Sequence, residues 1–372
     1  MAYLVKQIEN SRVVWFEKSN QWVRMDEPQW FIFLLYEKKT ARQEAVEQFS
    51  NTYELSIEQA AEVVSNIYDS IDKLLKPDFS LPDFSRDAEE VSKIKLRESR
   101  TRHYSYGEKH FSITYGSPSL EAYIHLPFAH LETKPAGKKV FHLDVFPYCG
   151  RYALRVYSPK RRSMTADESP QIKRLMFVEL ASWLYDKTEN DWMSFVHASA
   201  VQKDEKVLLL SSASGSGKST LAGLLMLRGF DLFSDDFVPV SAADTMLYPF
   251  PAALCIKNES VPMLESMGLT AFVKSKTTPV AYVKPLKEKL TLNAVPAKHF
   301  VFVNYKKGSG MKLEPLGIPE ALELFHPEAW VGDSMERAEK FIAWFTELKF
   351  YRLEYDDNKL AVQAMETLLA EK

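Results

Sequence analysis

A four-residue apolar run, Val207 to Leu210, feeds without a break into Ser211-Ser-Ala-Ser-Gly-Ser-Gly-Lys-Ser-Thr220. Apolar positions at helical spacing, Leu221, Leu224, Leu225 and Met226, follow at once. Strand, glycine turn and helix in that order is the setting of a phosphate-binding loop, and it commits this part of the chain to an α/β layer. Arg228 and Gly229 close the helix as a C-terminal cation and a C′ glycine. Within the loop Gly215 and Gly217 let the backbone curl, so that successive N–H groups and the positive end of the helix face one anion.

The chemistry of such a loop assigns work to each of Ser214, Gly215, Ser216, Gly217, Lys218, Ser219 and Thr220. The first four form the cradle. Lys218 would reach the β- and γ-phosphates of ATP, the Ser219 hydroxyl would ligate Mg²⁺, and Thr220 would touch the α-phosphate. Ser212 stands where the full pattern has its first glycine. The bland alternative is a flexible Gly/Ser turn, and Gly-Lys-Ser at a helix start speaks against it.

Phe230 to Phe233 is a second β-prone run, and it ends in Ser234-Asp235-Asp236. Catalytic groups of α/β sheets collect at the C-terminal ends of strands, so two carboxylates are expected beside the γ-phosphate and its metal. One can hold Mg²⁺ while the other accepts the proton of an attacking hydroxyl. Adjacent residues on a strand face opposite ways, so the two need not do the same work. His197, in Phe195-Val-His-Ala-Ser-Ala-Val201, reads by itself as a satisfied core histidine.

Length and composition narrow the rest. At 372 residues the chain exceeds a single hydrophobic core, and 46% apolar with 26% charged residues rules out a disordered protein. A net charge of -3 gives no general field for nucleic acid. Cys149 and Cys255 have no zinc spacing and read as two buried thiols in a reducing, cytoplasmic compartment. Met1 to Asn10 lacks an export signal, and no apolar run is long enough to cross a membrane.

The patterning divides the chain at 1–75, 76–93, 94–190 and 191–372. Residues 1–75 read as short strands followed by helices, with Asp26 and Pro28 opening one helix and Ser56 with Gln59 boxing another. Residues 76–93 carry Pro77 and Pro82 and read as a linker. Alternation at Phe111, Ile113, Tyr115 and at Tyr152, Leu154, Val156 makes 94–190 β-rich. After the loop come strands at Val280 to Val283 and His299 to Tyr305, then helices near Pro319 to Phe325, Ser334 to Leu348 and Asn358 to Ala370.

His197-Ala-Ser-Ala, Ser214 to Thr220, Arg228-Gly229 and Ser234-Asp-Asp-Phe-Val-Pro239 together resemble the HPr kinase/phosphorylase family, particularly its divergent relatives. The resemblance implies an α/β (α+β overall) protein with a PEP-carboxykinase-like P-loop catalytic domain. It also implies ATP-dependent transfer to a serine hydroxyl, with Asp235 as general base, Asp236 near the metal and His197 supporting Asp235. The family's Arg-Gly-x-Gly signature is not evident after Asp236, so phosphorolysis is not expected. Residues 1–75 look like a PqqD-type, winged-helix-like module that binds leader peptides by strand addition near Val13 to Trp22. The expected acceptor is a peptide or small protein, as in peptide natural-product modification. A small-molecule hydroxyl kinase and a non-catalytic ATP-binding regulator are the alternatives, and a homo-oligomer is allowed for.

Overall fold

The structure is a computed structural model that describes residues 3–76, 83–137, 140–158, 161–212, 215–269, 272–276, 278–286, 293–326 and 329–370. The fold is mixed α/β with several separate sheets, and it divides into two compact units. Most of the linker expected at 76–93 can be followed: 77–82 lie outside the described residues, and Ala88–Lys93 is a short helix.

The first unit joins residues 3–76 to 317–326 and 331–346. Tyr3–Ile8, Ser11–Phe16 and Gln21–Met25 form an antiparallel sheet in that order, with Val14 between Val5 and Val23. Helices Glu27–Glu37, Arg42–Tyr53 and Ile57–Leu74 follow. Asp26 and Gln29 cap each other reciprocally, as do Ser56 and Gln59, and each box contributes about 1 kcal/mol. Ala60, Val64, Tyr68 and Ile71 make the buried stripe of the last of these helices.

Helices Ile318–Phe325 and Met335–Thr346 complete this unit. The Phe341 ring lies 5.2 Å from Trp22, and the Glu9 carboxylate accepts the Ile318 N–H at 3.0 Å. The division at 1–75 and 191–372 therefore cuts through these contacts. Two amphipathic helices late in the chain carry no sequence mark of the sheet they cover.

In the second unit, Arg100–Tyr106, Lys109–Tyr115, Phe141–Tyr148, Arg151–Val156 and Arg162–Ala166 lie side by side in one sheet, and helix Ser169–Leu184 packs on it. A second sheet holds the glycine-loop strand Lys206–Ser211. That strand runs parallel to Val295–Tyr305, which in turn runs parallel to Lys349–Tyr355. On its other side Ser199–Lys203 is antiparallel both to it and to Asp231–Ser234. Asp231–Ser234 is thus one strand removed from the loop strand and runs the same way, so both end at the same edge of the sheet.

Leu221, Leu224 and Leu225 of helix Lys218–Leu227 bury against Leu208 and Leu210. At about 1.5–3 kcal/mol per side chain, this packing fixes the helix start over the strand end. A small sheet of Leu254–Lys257, Val280–Val283 and Phe272–Lys274 carries Leu254 and Ile256 into the same core.

Candidate functional site

Gly215 and Gly217 both sit at φ +95°, a left-handed conformation that residues with a Cβ adopt only under strain. Gly217 has a second reason to be glycine: a Cβ there would stand 3.0 Å from both the Tyr305 Cβ and the Tyr355 hydroxyl. The Tyr305 N–H donates to the Ser216 carbonyl at 2.8 Å, and the Ser216 hydroxyl donates to that of Ser212. Ser212, in place of the pattern's first glycine, is thereby used as an acceptor within the loop. Lys218 opens the helix with its side chain buried. Ser214 lies outside the described residues.

Beneath this loop the two aspartates part company. Asp236 has φ +61°, and its carboxylate turns into a cavity of about 560 Å³, a size that suits a nucleotide. Its Oδ1 lies 3.4 Å from the Lys218 Nζ and 3.7 Å from the His197 Nε2. Burial pushes this carboxyl up, but Lys218 and then His197 outweigh burial and hold it below the usual carboxylate range. Asp236 stays ionised.

Asp235, expected as the base, is buried instead and does not line the cavity. Its Oδ1 accepts the Ser199 hydroxyl at 2.5 Å and its Oδ2 accepts the Cys255 N–H at 2.7 Å. Burial, reinforced by the neighbouring charge of Asp236, pushes its pKa up to about 7. His197 likewise faces Asp236, where the resemblance had placed it behind Asp235. The cause is local. The left-handed turn at Asp236 accompanies a side chain directed at Lys218, while Asp235, just past the strand end at Ser234, points at Ser199 and the Cys255 N–H.

Gly215, Ser216, Gly217, Lys218, Ser219 and Thr220 all line the cavity, as do His197 and Asp236. Ser219 and Asp236 offer a hydroxyl and a carboxylate, hard oxygen donors of the kind Mg²⁺ takes alongside phosphate oxygens. Lys257, Tyr305, Tyr355, Ser260, Met263 and Asn358 also line the cavity and belong to no motif of the sequence. A Cβ on Gly215 would stand 3.0 Å from the Nζ of the exposed Lys257. Tyr305 and Tyr355 end the two strands beyond the loop strand, and Ser260, Met263 and Asn358 continue the wall. The available signal is positional: each tyrosine is the last residue of a strand, Val295–Tyr305 and Lys349–Tyr355. The Cys255 thiol is pushed up to about 12 by burial and then by Asp235, which keeps it protonated.

No family model matches the chain, and no curated protein matches it. Among solved structures, the Hpr(Ser) kinase/phosphatase from Coxiella burnetii aligns with 47% of this chain and 89% of that one, at 10% identity and a TM-score of 0.25. Among the described residues, no helix is long and apolar enough to cross a membrane.

Proposed function

We propose that the chain is an ATP-dependent kinase that transfers the γ-phosphate to a hydroxyl, with a serine of a peptide or small protein as acceptor. The observation that carries this reading is the convergence of Lys218 and His197 on the Asp236 carboxylate at the floor of a glycine-loop cavity. A phosphate loop alone would bind nucleotide. An ionised carboxylate beside its lysine adds a group that can orient and deprotonate an attacking hydroxyl.

On this reading the loop N–H groups and Lys218 take the β- and γ-phosphates, and Lys218 exchanges its ion pair with Asp236 for them. Asp236, released from that pair, orients the acceptor hydroxyl and takes its proton, with His197 steadying the carboxylate. Ser219 would hold Mg²⁺, which when bound neutralises charge on the phosphates. Asp235 is a positioning residue: its hydrogen bonds tie the start of Ser199–Lys203 to the start of Leu254–Lys257. The peptide acceptor is supported by the likeness of residues 1–75 to a PqqD-type module. Val13 to Phe16 lie on the central strand of its antiparallel sheet, so the pairing edge expected near Val13 to Trp22 moves to the outer strands Tyr3–Ile8 and Gln21–Met25.

The test is incubation of the full chain with γ-labelled ATP, magnesium and candidate acceptor peptides, read by mass spectrometry for a phosphate adduct. ATP binding without transfer to any hydroxyl, peptide or small molecule, would sink the kinase reading and leave a nucleotide sensor.

A further inference from the structure

We infer that the cavity wall of Ser260, Met263, Tyr305, Tyr355 and Asn358 is the nucleoside subsite, and that the Asn358 amide selects an adenine base. The inference rests on reading the glycine loop as a phosphate site. Lys218 and Asp236 then mark the γ end, and Thr220, further into the helix, marks the α end. The nucleoside must leave the loop on the Thr220 side.

On that side the wall is continuous. The Thr220 hydroxyl donates to the Ser260 hydroxyl at 3.0 Å, and Ser260 leads into helix Val261–Ser266, which carries Met263. The Asn358 amide nitrogen meets the Met263 sulfur at 3.8 Å. Asn358 follows Tyr355 by a short turn, and the Tyr355 hydroxyl returns to the loop at Gly217. Tyr305 and Tyr355 stand at the carboxyl ends of strands parallel to the loop strand, where open α/β sheets bind their ligands. The acid pair occupies the opposite flank.

Two groups on this wall have unused hydrogen-bonding capacity. The Tyr355 hydroxyl is buried and has no hydrogen-bond partner among the described residues. Buried hydroxyls are normally satisfied, so a ligand atom at this wall would complete it. The half-buried Asn358 opens helix Asn358–Ala370 but does not cap it, because the Asp357 carboxylate accepts the N–H groups of Lys359 and Leu360. Its contact with a thioether leaves the amide oxygen and an N–H open. A side-chain amide matches the donor and acceptor that adenine presents at N6 and N7, whereas guanine presents two acceptors there. Met263 and the half-exposed Tyr305 offer apolar surface for the base faces.

Calorimetric titration of the full chain with ATP, GTP and inorganic tripolyphosphate, each with magnesium, separates the two readings. The wild type should bind ATP about tenfold tighter than GTP or tripolyphosphate, the size of one paired amide contact. Asn358→Leu should bring ATP down to GTP and leave tripolyphosphate unchanged, and Met263→Ala should weaken both nucleotides. A variant that loses tripolyphosphate as well has lost its loop, and the size-matched Asn358→Asp then decides by whether the ATP preference disappears. An ATP preference that survives these variants, or a wild type that binds ATP no better than tripolyphosphate, overturns the subsite while the phosphate site stands. A wild type that binds none of the three overturns both.

Discussion

The two flanks of the glycine loop differ in what the chain does with polar groups. On one flank lie Asp235 and Asp236, with the Asp236 Oδ1 3.4 Å from the Lys218 Nζ and 3.7 Å from the His197 Nε2. On the other lie Tyr305 and Tyr355, rings edge to face at 5.5 Å, whose polar atoms are hydroxyls. The first flank concentrates charge in a partly buried place, which costs desolvation and is tolerable only where charges are paired or neutralised. The second supplies shape and apolar surface at little electrostatic cost. A ligand with a highly charged end and a flat, weakly polar end fits such an asymmetry.

The largest expected effect is on the acid flank. Asp236→Asn should retain ATP binding in a titration and lower the rate of transfer by about 10³-fold, within the span of a lost general base. Asp235→Asn should cost far less, since its partners are a hydroxyl and a backbone N–H. If the two variants exchange these phenotypes, the division of labour between the aspartates is wrong.

Next comes the contact between the flanks. Gly217→Ala forces a Cβ into a left-handed residue and against two tyrosines. The left-handed conformation alone costs about 1–2 kcal/mol, and a drop in nucleotide affinity of at least ~10-fold should accompany the loss of stability. Tyr355→Phe in the same background removes one of the two atoms in the way, so it should recover part of the loss. No recovery would show that φ strain alone is responsible.

A smaller effect belongs to Lys257, poised over Gly215. Lys257→Gln should weaken ATP and tripolyphosphate equally, by about fivefold to tenfold, as loss of one partly exposed cation does. Equal affinities before and after the change would make it a surface lysine.

The smallest effect is on stability and concerns Asp235. Its folded-state pKa of about 7 lies above its ordinary value, so the folded form binds a proton that the unfolded form releases. The stability from that proton is complete below pH ~4 and disappears as pH rises through about 7. Urea midpoints should fall over that window in the wild type and fall less in Asp235→Asn. Parallel curves for the two proteins would mean that Asp235 is ionised in the fold.

Much of this site was legible in the linear chain because its parts are local. Loop glycines, the lysine at a helix start and the hydroxyls after it are consecutive, and their backbone conformation follows from residue type. Neighbouring strands and helices were legible for the same reason: Asn358–Ala370 and Val280–Val283 begin and end where periodicity places them. The linear chain could not tell which of two adjacent aspartates faces the cavity. Alternation along a strand predicts opposite faces, but a single left-handed turn at Asp236 decides which face is which.

The sequence by itself determined that a strand, a glycine loop and a helix stand together with a lysine and two hydroxyls at the helix start, because that motif needs only short-range sterics and hydrogen bonds. Tertiary structure alone decided that Asp236 faces Lys218 while Asp235 is buried with Ser199 and Cys255. It also brought Tyr305, Tyr355 and Asn358 to the opposite side of the loop, and gave two late helices to the N-terminal sheet. Those choices come from long-range strand order and the burial of distant apolar faces. No stretch of neighbouring residues encodes them.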